Sequence, residues 1–142
     1  MTLALGTLLV AALISCAQNP PSPTHTASVP LETTHWTLVR LGEKPVTVTA
    51  GAQPPSLTLV PDGKSAHGST GCNRFMGGYR LDGNRLRFTG IAATRMFCAD
   101  RRELEEQYIR VLDAAARWEI VDSHLELYDA AGARLALLVA GP

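Results

Sequence analysis

The chain has 142 residues, 46% of them apolar, and its 13 Lys and Arg balance 13 Asp and Glu to a net charge of zero. Every charged side chain falls in 32–142, which leaves about 110 residues for folding, enough for one small domain and not for two. A neutral balance argues against bulk nucleic-acid binding, whose footprint is a basic excess, and the apolar content argues against a disordered chain.

The first segment is a leader. Residues 3–14, LALGTLLVAALI, form an apolar core that is too short to span a bilayer comfortably as a helix. Ser15 supplies a small residue before the cut, and Leu13-Ile14-Ser15-Cys16 has the form of a bacterial lipobox. Residues 1–15 therefore read as a lipoprotein signal peptide and Cys16 as the lipidated first residue of the mature chain. No Lys or Arg precedes the apolar core, a departure from the usual positive start, and an ordinary signal peptide with a chance cysteine is the competing reading. More than one acyl chain on Cys16 would anchor stably, at about 0.8 kcal/mol per buried CH2. Ala17 rather than Asp beside the cysteine fits outer-membrane sorting, facing the periplasm, in a host with two membranes. Residues 16–34 are rich in Pro, Thr and Ser and read as a tether. The folded domain is expected over 35–142.

From Trp36 the pattern is short strands broken by turns. WTLVRL (36–41) and VTVTA (46–50) are β-branched or alternating, and SLTLV (56–60) ends in the turn Pro61-Asp62-Gly63, across which 64–69 can pair back as a hairpin. GGYRL (77–81) and RLRF (85–88) flank Asp82-Gly83-Asn84, a second hairpin signal. WEIV (118–121), HLELY (124–128) and RLALLV (134–139) complete an antiparallel meander. One segment breaks the rhythm: 100–116 places Leu104, Tyr108, Val111, Leu112 and Ala115 on one helical face. Asp100 with Glu103 reads as a capping box, and Glu106 with Arg110 as an i,i+4 pair. About nine strands and one helix give a mainly β (α+β) fold, a small curved antiparallel sheet or barrel with the amphipathic helix packed on it or closing one end.

Trp36-Thr37-Leu38, GCNRFMGGY (71–79) and TRMFCAD (94–100) before a helix together resemble the META domain, or HslJ-like, family. The resemblance covers roughly 34–140, all of the globular part. It implies an antiparallel barrel-like fold with one helix, a place among bacterial envelope lipoproteins and secreted or stress-related proteins, and a pairing of Cys72 with Cys98. It also implies kinship with the small lipoprotein pilots of secretins, which hold apolar tails. Phe97 stands where the family more often has a small residue, and Ala99 replaces a frequent Pro.

Read from the residues, Cys72 and Cys98 form a structural disulfide or a metal or redox pair. No Cys-x-x-Cys occurs and no His flanks either cysteine at ligand spacing, which favours the disulfide in an oxidising compartment. Gly71 and Gly77-Gly78 read as backbone devices, a tight turn and a bulge, rather than as a phosphate cradle, because their spacing matches no phosphate-binding fingerprint. Asn73, Arg74, Tyr79 and Arg95 are the candidate binding residues, set against a local structural role in which Asn73 supports the turn and Arg74 packs or pairs locally.

The four histidines are scattered, and no nucleophile elbow, zinc-protease motif or matched carboxylate pair occurs. The expectation is a non-enzymatic protein without cofactor or metal, a monomer held on the membrane by its N-terminal lipid. Its partner would be an envelope protein, a lipid or an anionic surface. An alternative function is a barrel holding an apolar tail, lined by Tyr79, Phe88, Leu104, Tyr108 and Leu112; a hydrolase is a third reading. Charge is uneven: 74–102 hold seven Arg against two Asp, whereas 103–129 hold eight acids against Arg110 and Arg117. Either the two stretches neutralise each other, or the basic one forms a face for an anionic surface.

Overall fold

A computed structural model describes residues 29–141; the leader and Cys16 lie outside them. Nine strands form one antiparallel sheet: β1 (Trp36–Leu41), β2 (Lys44–Pro45), β3 (Ser56–Val60), β4 (Ser65–Ser69), β5 (Arg74–Asp82), β6 (Arg85–Ala93), β7 (Arg117–Val121), β8 (His124–Tyr128) and β9 (Arg134–Ala140). The helix α1 (Arg102–Ala114) enters between β6 and β7. Strands follow chain order across the sheet, and β9 returns to pair with β1, Trp36 opposite Ala140. The result is ring-like but not a fully laddered barrel. β6 and β7 share a single paired position, Arg85 with Arg117, and β1 and β3 share only two.

The alternation seen in the sequence sorts the two faces. Trp36, Leu38, Leu57, Leu59, Phe75, Leu86, Leu125, Leu127 and Leu138 point inward and are buried. Tyr108 and Leu112 of α1 complete the filling: the Tyr108 ring meets Phe75 edge-on at 5.9 Å, and its hydroxyl donates to the Ser56 carbonyl at 3.3 Å. α1 thus closes the ring interior with the apolar face that its spacing predicted. Among the described residues, the buried core runs from Leu31 to Leu138.

Several local expectations are corrected. VTVTA (46–50) is not a strand; only Lys44–Pro45 pairs, with Leu41 and Arg40. β1 already has β9 along one edge and β3 with β2 on the other, so no ladder is left for this segment. Arg101, not Asp100, is the helix N-cap, and no side chain caps it. Glu106 pairs with Arg102 at 2.9 Å rather than with Arg110. The folded part also begins before residue 35: Leu31 is in the core, its carbonyl accepts the Trp36 indole N–H at 2.9 Å, and Thr33 N–H donates to Leu59 at 2.8 Å.

Candidate functional site

The turn before β5 is built from hydroxyls. Gly71 takes φ of 92°, a left-handed conformation natural to glycine. The Gly71 N–H donates to Ser69 Oγ at 3.0 Å, and the Asn73 N–H to Thr70 Oγ1 at 2.9 Å. Arg101 Nη1 donates to the Gly71 carbonyl. With these N–H groups engaged, the turn has no cradle for phosphate.

Asn73 is 3% exposed and ties three segments together. Its Oδ1 accepts from the Met96 N–H at 2.7 Å and from Thr94 Oγ1 at 2.8 Å. Its Nδ2 lies 3.1 Å from the Met96 carbonyl and 2.9–3.0 Å from both oxygens of Glu105 on α1. Beside it, Cys72 and Cys98 are joined in a disulfide with 6.1 Å between Cα atoms. The 94–98 segment is therefore fixed by a covalent bond and an amide network, and what it displays is apolar. Met96 is 64% and Phe97 84% exposed. These two side chains, with Ile109 of α1, line an open groove of about 710 Å3 whose polar wall includes Arg95, Arg110 and Glu105.

The four nominated residues thus divide. Asn73 and Arg95 share this groove, Asn73 as the clamp of its wall and Arg95 exposed on it. Arg74 sits on the outer face of β5, beside His35 and His67. Tyr79 points inward on β5 and donates its hydroxyl to Glu32, whose carboxylate also takes Lys64 Nζ at 2.9 Å; that ammonium lies 5.4 Å from the Tyr79 ring centre. The residues offered as a tail-holding interior do not enclose a common cavity: Leu104 borders an open surface pocket of about 290 Å3. Tyr108 and Leu112 are wholly buried core, Tyr79 nearly so, and Phe88 and Leu104 pack against them. The sequence marks Phe97 as a departure that either fills core volume or adds an exposed apolar spot, and the second holds; Met96 and Ile109 were missed, since their place beside it depends on the path of the 94–98 loop.

The Tyr79 hydroxyl and then the Lys64 ammonium hold the Glu32 carboxyl below its usual range, while burial and then Glu32 push the Tyr79 phenol up. The folded-state value of Glu32 is depressed, so its contribution is full above about pH 4.3 and is lost as pH falls through the lowered value. Glu32→Gln is expected to flatten the acid limb of the thermal midpoint against pH, and Tyr79→Phe to cost about 1 kcal/mol. An acid limb identical in Glu32→Gln and wild type would show that this strap carries no stability.

A family model, META domain, matches residues 29–141, the stretch that holds the hydroxyl turn, the disulfide and the helix. The chain belongs to the META domain family. Among solved structures, this META domain is similar to one determined by NMR, with 28% identity and a TM-score of 0.61 over 78% of this chain and 91% of that one. A second NMR structure, from Burkholderia xenovorans, has 26% identity and a TM-score of 0.63 over 87% and 99% of the two chains. A DUF4847 family protein from Bacteroides vulgatus shares the fold at 12% identity, with a TM-score of 0.59 over 78% and 94%. No protein of curated function matches. Among the described residues, no three His, Cys, Asp or Glu side chains converge as metal ligands.

Proposed function

We propose that this META domain is a non-enzymatic recognition module of the bacterial cell envelope, lipid-anchored through Cys16. Its binding site is the groove between the 94–98 segment and α1. The observation that supports this reading is the exposure of Phe97, 84%, on a loop that a disulfide and the Asn73 amide hold still. Rigid aromatic anchors at low ordering cost are what recognition surfaces use. The polar groups around the groove favour binding over chemistry: Asn73 is consumed by its partners, Glu106 by Arg102 and Glu105 by Asn73.

An apolar tail is a second occupant for the same groove, supported by Met96, Phe97 and Ile109 along it; the filled interior leaves the surface as the place for one. A photoreactive residue in place of Phe97 is expected to yield a discrete crosslinked species in intact cells, whether a protein or a lipid. The same group in place of the exposed Val121 on β7 should not. Equal crosslinking at both positions would sink the groove assignment.

A further inference from the structure

The outer face of the β5–β6 hairpin carries a charge pattern that the fold's ion pairs leave out, although Arg117 at its border lies 5.5 Å from the Tyr128 ring centre. Register sets Arg80 of β5 directly against Arg87 of β6, and Arg85 against Arg117 of β7. The period of two along β5 puts Arg74 and Met76 on the same face as Arg80. All five arginines are exposed. Among the described residues none of them makes an ion pair; the cations that do are Arg40, Lys64, Arg101, Arg102 and Arg134. The acids on this face are Asp82, opposite Arg85, and Glu119 of β7. Met76, 69% exposed, stands among them with His67 of β4 across from it.

The neutralisation that the sequence allowed between the basic and acidic stretches therefore does not extend to this face. Like charges directly opposite each other on a sheet are destabilising, so the Arg80–Arg87 rung weakens the hairpin unless something anionic covers it. Guanidinium groups are suited to phosphate, which they can bind with two parallel N–H donors. The net charge of zero means that the basic face is balanced elsewhere on the molecule, so a negative surface would orient the domain rather than merely attract it.

We infer that this face docks on the headgroup phosphates of an anionic phospholipid bilayer, with Met76 at the apolar edge of the interface. The inference rests on the envelope-anchor reading for the nearness of a bilayer: residues between Cys16 and Val29 span roughly 40 Å when extended, short enough to keep the domain at the surface.

The test uses residues 17–142, everything after Cys16, so that binding reports the face and not the anchor. Co-sedimentation is measured with vesicles containing about one-third phosphatidylglycerol and with pure phosphatidylcholine. Binding is expected to the anionic vesicles alone, to fall in about 0.5 M salt, and to drop at least tenfold (~10) in Arg80→Glu/Arg87→Glu. Arg40→Glu/Lys44→Glu makes the same change of net charge on β1 and β2, away from both this face and the groove, and is expected to bind as wild type. Circular dichroism checks each fold, and Arg80→Ser/Arg87→Thr, which suits a strand, carries the same expectation should the reversal fail to fold. Equal losses in both charge-reversed variants, or no preference for anionic vesicles, would overturn the inference. Retention on immobilised polyglutamate without vesicle binding would overturn it in favour of an acidic protein partner. Photocrosslinking at Phe97 and membrane fractionation of Cys16→Ser read the groove and the anchor separately, so either can stand while this face fails.

Discussion

Reducing the Cys72–Cys98 bridge is expected to lower stability by roughly 3–4 kcal/mol. The two cysteines are 26 residues apart, and the chain-entropy model gives about 3.5 kcal/mol for a loop of that length. For a domain of this size each kcal/mol moves the thermal midpoint by about 4 °C, so a fall of roughly 15 °C follows. Cys72→Ala should show the same midpoint with and without dithiothreitol, matching reduced wild type. The loss is large because the bridge joins the β5 turn to the entrance of α1, and α1 supplies Tyr108 and Leu112 to the core. If reduction leaves the midpoint unchanged, the loop is held by its hydrogen bonds alone and the bridge is incidental.

Those hydrogen bonds give the second large effect. Asn73→Ala removes both ends of the amide clamp and leaves the Met96 N–H and the Glu105 carboxylate without their partner. An expected cost of about 3 kcal/mol follows from unpaired groups in a nearly buried site. Asn73→Asp separates packing from polarity. It has the same shape but sets a second carboxylate against Glu105, so it should be most destabilised at neutral pH and recover on acidification, when a shared proton restores a donor. Chemical denaturation from neutral pH down to about pH 4, near the ordinary carboxylate values, checks this. A pH-independent loss in Asn73→Asp would show that Glu105 is not the partner that matters. In either variant Phe97 should lose its fixed position, which ties the stability of the turn to the recognition surface.

The strands were readable where a turn residue and a period of two agreed. Pro61-Asp62-Gly63 and Asp82-Gly83-Asn84 each join two paired strands, and Gly77 with Gly78 lies at a break in the β5–β6 register. VTVTA misled because strand propensity reports a fit to a half-buried ladder, and here both edges of β1 were taken. The capping box misled because the chain enters α1 from Cys98, whose carbonyl accepts the Arg101 N–H at 3.1 Å, so the turn after the disulfide sets the first helical residue. Leu31 was hidden by its company of Pro and Thr. The groove was the least legible part: nothing in Met96-Phe97 distinguishes a core pair from a displayed one until the positions of Asn73 and α1 are known.

The return of β9 to β1 has a bearing on how the protein is made. Apart from β6 and β7, which α1 separates, the other neighbouring strands are close in sequence, so they can pair as soon as they leave the ribosome or an export channel, and contacts of that kind assemble quickly. The Trp36–Ala140 rung must wait until β9 has been made. Until then the β1 edge stands open, and an open edge is a template for pairing with another molecule. Whatever escorts the nascent chain therefore has one strand to shield from the moment β1 emerges, and the hazard ends only when β9 arrives to cover it.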